Sequence, residues 1–225
     1  HLVELSKHIE YLIDVPDSAG KRDPEWRRRL IRALQCRFGT IGGAQVEPPQ
    51  HWPRDRWFLP TPRRQGEHLA SLFADGGRAC EFFFHILANP GDEISFWVAG
   101  KVLSEPAVGW QRHLRSSVEE LYRTKSTVSS DLADLFARSE DAYFRLASGV
   151  RSATISMEPL IGDRPGPPVY LSKRLGAEQR RAYRQEIEAL TSAFRKLAGD
   201  VPEKNRMAKI LRCLANVRRD LDSLA

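Results

Sequence analysis

Cysteine is scarce in this chain, and its spacing makes it scarcer in effect. The 225 residues hold three, Cys36, Cys80 and Cys213. They are odd in number, far apart and without a CxxC pair, which argues against a disulfide framework and fits a reducing compartment. Cys36 and Cys213 fall within helical apolar patterns and read as small buried hydrophobes. Long apolar runs are missing too. None approaches the roughly 18 to 20 residues that a membrane span needs, and Leu2–Ile13 carries Glu4, Lys7, His8 and Glu10, so it reads as an amphipathic helix and not as a signal peptide. A cytoplasmic location and no membrane partner are expected. The sequence opens on His1, as expected of a fragment or a processed form.

Catalytic signatures are also lacking. No HExxH, HxH or GxSxG occurs, and Gly42-Gly43 and Gly76-Gly77 lack the lysine or third glycine of a phosphate-binding loop. Cys80, Glu81, His85 and Glu93 form only a chance-level metal spacing. His68, His85 and His113 are scattered. No residue takes the part of nucleophile or base, no cofactor or metal is expected, and enzymatic activity is the less favoured reading.

What is plentiful is helical periodicity. From Ala177 to Ala198, Tyr183, Ile187, Leu190, Phe194 and Leu197 recur at steps of three and four. Met207, Ile210 or Leu211, Leu214, Val217, Leu221 and Leu224 do the same from Pro202 onward. Each set lies on one helix face. Gly199 suits a helix end, and Asp200 with Glu203 suits the start of the next. The spacing therefore predicts a C-terminal antiparallel helical hairpin over 177–225, packing inside the molecule or forming a dimer seam. The N-terminal 1–39 reads as helical as well, with Leu2, Leu5, Ile9 and Leu12 on one face and Trp26, Leu30, Leu34 and Phe38 on another.

Between these ends the pattern is mixed. Residues 40–64 are broken by Gly42, Gly43, Pro48, Pro49, Pro53, Pro60 and Pro62, the mark of a linker or a functional loop; the α-rich core then covers 65–225. A short helix is expected around Glu67–Phe73. Phenylalanine-rich 81–86 and Ile94–Val98 flank Asn89-Pro90-Gly91-Asp92, which predicts a β-hairpin, with a buried helix over Glu93–Leu103 as the competing reading. Ser116 with Glu119 reads as a capping box and Ser129 or Ser130 as the next cap. Residues 154–157 and 169–171 suggest a second strand pair. The fold class is thus mainly α with one or two β-hairpins.

Two stretches point to function. Asp131–Gly149, with its break near Ser139 followed by Tyr143 and Leu146, resembles the central helices of a helix-turn-helix; an ordinary helical corner is the plainer reading, and Glu140 and Asp141 would face phosphates unfavourably. The first sixty-odd residues mix arginine with tryptophan, which suits phosphate contact and base stacking but equally suits aromatics anchoring a loop to the core. The net charge of +6 and the pI near 9.4 are a modest excess. The expected function is a non-catalytic regulator, nucleic-acid-binding and transcription-regulator-like. Arg27, Arg28, Arg29, Arg54, Arg56, Arg63 and Arg64 would sit on the phosphates and Trp57 would stack on a base, with Arg138, Tyr143 and Arg145 near base contacts. The alternative is a protein-protein adaptor or assembly subunit, recognised by an exposed apolar patch.

Overall fold

The computed structural model describes residues 12–14, 25, 28, 37–39, 58–76, 89–125, 127–147 and 176–223. Two three-residue strands, β1 (Leu12–Asp14) and β2 (Arg37–Gly39), run parallel with Leu12 opposite Arg37. Leu12 and Phe38 close expected helical stripes, so this is a correction. A residue ahead of proline favours extended backbone, and Pro16 follows β1 by two positions in the sequence. Of the residues between, Glu25 and Arg28 are described, and both are helical.

The rest of the described chain is helical: α1 (Pro62–Ala74), α2 (Pro90–Ser104), α3 (Trp110–Tyr122), α4 (Thr127–Leu146), α5 (Ala177–Leu197) and α6 (Lys204–Ser223). Each of the helices α1 to α6 packs on the next in sequence, α1 also touches α3 and α4, and α2 touches α6. No β-hairpin occurs among the described residues, and the expected strand pair at 154–171 lies outside them.

Ile94–Val98 is part of α2, and the reason is chemical. Asn89-Pro90-Gly91-Asp92 reads equally as a hairpin turn and as a helix start. Here the Asn89 Oδ1 accepts the Gly91 N–H at 2.9 Å, Pro90 occupies the first helical position, where its missing N–H costs nothing, and Asp92 and Glu93 face the positive helix end. The Ser116–Glu119 capping box is also corrected. Helix α3 begins at Trp110, with Gly109 at the cap, and Ser116 lies mid-helix. Ser129 lies inside α4, where its hydroxyl donates to Glu119 at 3.1 Å.

The terminal pair follows the sequence stripes: Tyr183, Ile187, Leu190 and Phe194 of α5 and Met207, Ile210, Leu214, Val217 and Leu221 of α6 are buried. Its turn works differently from expectation. Gly199 does not take the left-handed conformation; among described glycines only Gly76 has positive φ, at 106°. Instead the Lys204 ammonium donates to the Ala198 and Gly199 carbonyls at 2.8 and 2.7 Å, covering the carbonyl end of α5 with positive charge.

Four aromatics hold the centre. Phe58 meets Phe136 of α4 at 5.9 Å and Phe194 of α5 at 5.7 Å, Phe136 meets Phe194 at 5.8 Å, and Tyr122 of α3 meets Phe136 at 5.8 Å. Each buried ring contributes about 1.5 to 3 kcal/mol, and the four come from four separate segments. Phe58 and Leu59, at the end of the proline-rich stretch, are therefore core residues.

Two mid-helix glycines make opposite predictions. A Cβ on Gly66 would stand 2.4 Å from the Trp110 Cβ, whereas one on Gly100 would meet nothing within 4 Å. Gly66→Ala should destabilise the chain by about 1 to 3 kcal/mol through overpacking. Gly100→Ala should stabilise it by about 0.5 to 1 kcal/mol. Urea denaturation of both variants checks the pair, and a shared sign would contradict the packing described.

Candidate functional site

Helix α4 runs unbroken from Thr127 to Leu146, which removes the helix-turn-helix. Serine is read as a breaker because its hydroxyl competes for backbone groups, but Ser139 is buried and donates to the Leu135 carbonyl one turn back, at 2.7 Å, and so stays helical. Two of the three expected base-contact residues, Tyr143 and Arg138, are held within the fold. Tyr143 is buried and meets Tyr183 edge-on at 6.4 Å. The Arg138 guanidinium lies 2.6 Å from Glu186 of α5. Arg145 is exposed.

Glu140 is the residue the sequence reading undervalued. It is fully buried, and its two oxygens accept the Arg63 and Arg64 backbone N–H groups of α1 at 2.9 and 3.0 Å. Thr61 at the α1 cap makes no side-chain capping bond, so the orphan donors of that helix are met by a carboxylate from another helix. Around it, Arg63 pairs with Asp141, and Arg64 lies 3.6 Å from Glu140 with its guanidinium 3.4 Å above the Phe144 ring, a cation–π contact. A three-residue spacing of acids from an apolar stripe carries no hint of such a partner 77 residues away.

Burial pushes the Glu140 carboxyl up to about 7, while the N–H groups and charges of Arg63 and Arg64 pull the other way. Burial likewise raises Asp92 well above the usual carboxylate range.

Other predicted arginines are also placed. Arg28 lies 3.2 Å from Asp75 and 3.6 Å from Glu25. Arg27, Arg29, Arg54, Arg56 and Trp57 lie outside the described residues. The groove between α4 and α5, about 600 Å³, is lined by Asp134, Ala137, Arg138, Asp141, Arg145 and Glu186. Three acids against two arginines repel a phosphate backbone more than they attract it.

A different surface stands out on α2. Phe96 and Trp97 are each 39% exposed and Leu103 is 44% exposed, and they flank Gly100, which is also exposed. Among the described residues no group of three His, Cys, Asp or Glu side chains is placed to hold a metal ion. His68 and His113 are buried on different helices, the latter with Nε2 3.0 Å from the Glu105 carbonyl. No described helix is long and apolar enough to cross a membrane. Compared with known proteins, the chain matches no family model, no curated protein and no solved structure.

The Glu140 geometry fixes a sign. Its folded pKa, about 7, stands above the ordinary value of 4.5, so the folded state holds this proton more tightly than the unfolded one. The stabilisation is complete below pH 4.5 and is lost as pH rises to about 7. Glu140→Gln should flatten that part of the profile. It should also lower stability at pH 5 by about 1 to 3 kcal/mol, because an amide turns a donor toward a helix N–H. Urea midpoints across pH 4 to 8 check both effects, and an unchanged slope in the variant would reject the assignment.

Proposed function

We propose that this chain is an interaction module that docks an amphipathic helix of a protein partner on the outer face of α2. The observation that carries the reading is Gly100. Glycine in a helix interior costs about 0.5 to 1 kcal/mol relative to alanine, and among the described residues nothing approaches Gly100 closely enough to require one. Gly66 and Gly91 each have such a reason, against Trp110 and against Leu59 and Pro60. In this reading a partner side chain enters the hole between Phe96, Trp97 and Leu103. Two exposed aromatics beside an open site are the composition of an interface anchor. Glu93, held by Arg206, and Lys101, held by Glu120, supply a polar margin.

Regulation by adaptor binding fits the charge accounting better than phosphate binding by Arg28, Arg63, Arg64 and Arg138, which are held by acids.

Panning a displayed library of amphipathic helical peptides against the whole chain tests this. Recovered peptides should bind at least tenfold more weakly to Leu103→Asp and to Gly100→Phe than to the parent. Arg115→Asp, on the exposed side of α3, should leave binding unchanged. Recovery of no peptide, or of peptides that ignore the α2 substitutions, would overturn the reading.

A further inference from the structure

Helix α2 is apolar on both of its sides. Ile94, Val98, Ala99 and Val102 are buried in the core, while Phe96, Trp97, Gly100 and Leu103 are exposed. A helix that is apolar all round is normally covered all round. The exposed residues also follow an order along the helix. Phe96 and Trp97 stand four and three positions before Gly100, and Leu103 and Ser104 stand three and four positions after it. With 3.6 residues per turn, the two pairs lie at matching angles on either side of the glycine, about 4.5 to 6 Å from it along the axis in opposite directions. One pair is large and aromatic, and the other is small.

We propose that the occupant of this face is α2 of a second copy of the chain, lying antiparallel across a two-fold axis at Gly100. This rests on the reading of the α2 face as an interface and names what fills it. The axis sets Phe96 and Trp97 of each copy level with Leu103 and Ser104 of the other, so large side chains meet small ones twice. At the crossing point glycine has no Cβ, and no atom lies within 4 Å of the place where one would stand, so the two backbones can come close. Ser104 can be covered without stranding a donor, because its hydroxyl already donates to the Gly100 carbonyl at 3.1 Å. Charge sets the direction. Antiparallel pairing opposes the two helix dipoles and carries Glu105, exposed at the end of α2, to the start of the other copy's α2, where Arg206 holds Glu93. Parallel pairing would crowd aromatics against aromatics and set two Glu105 carboxylates side by side. A closed two-fold pair is the commonest form of soluble oligomer. The face is small, so the dimer is weak and depends on concentration.

Sedimentation equilibrium of the whole chain over a concentration series should show a mass that rises from 25.6 kDa towards twice that value. Leu103→Asp and Gly100→Phe should each weaken the dimer at least tenfold, and Arg195→Gln, on the exposed side of α5, should leave it unchanged. Circular dichroism confirms that the variants remain helical. A cysteine at the axis reads the symmetry: Gly100→Cys should give a disulfide-linked dimer on mild oxidation, above the parent's own level. Ser104→Cys should not, since its two copies stand about 12 Å apart along the axis, beyond the reach of a disulfide. A chain that stays monomeric at its highest soluble concentration, while helical peptides bind the α2 face, overturns the second copy as occupant and leaves the docking reading standing. If no such peptide binds either, both readings fall. A dimer that survives Leu103→Asp, or that cross-links equally through Ser104→Cys, is built on another contact and also overturns the proposal.

Discussion

One carboxylate carries more of this fold than any other polar group. Glu140 closes the start of α1 from the middle of α4. Two backbone donors, one guanidinium at 3.6 Å and the aromatic ring beneath that guanidinium converge on one buried anion. Taking a carboxylate out of water is expensive, and a bare pair of backbone bonds offsets only part of it. The start of α1 is fixed by this contact, and with it the buried Phe58 and Leu59 just upstream, of which Phe58 meets the rings of Phe136 on α4 and Phe194 on α5.

The same bookkeeping governs the surface. A net charge of +6 describes a protein with many cations, but it says nothing about where they are neutralised. Arg63, Arg64, Arg138 and Arg206 each bind an acid from a different helix, so they tie elements together and leave little field outside. Exposed pairs of this kind add little stability individually. Their effect is on geometry, since each pins one helix to another.

Much of the architecture was legible in the sequence, and the parts that were not share a cause. The stripes of α5 and α6 were readable because amphipathic periodicity is a local property, set by neighbours three and four residues away. Asn89–Asp92 was ambiguous because turn chemistry and helix-start chemistry use the same residues; only the position of Ile94, Val98 and Val102 on one buried face decides between them. The break expected at Ser139 failed since a buried hydroxyl can satisfy itself within the helix. Glu140 was legible only as a charge, and its function as a cap depends on Arg63 and Arg64, far away in sequence. The apolar face of α2 was hidden by the hairpin reading, because on a strand Phe96 and Trp97 would point to opposite sides.

The distance along the chain between Glu140 and its donors also orders the assembly of the protein in time. Contacts between α5 and α6 close a short loop and can form as soon as both helices exist, whereas the α1 cap closes a loop of more than seventy residues, which costs more chain entropy. During synthesis, α1 leaves the ribosome with its first N–H groups open to water, and its own cap arrives only when residue 140 does. Of the described helices, α1 is thus the one that must wait for α4.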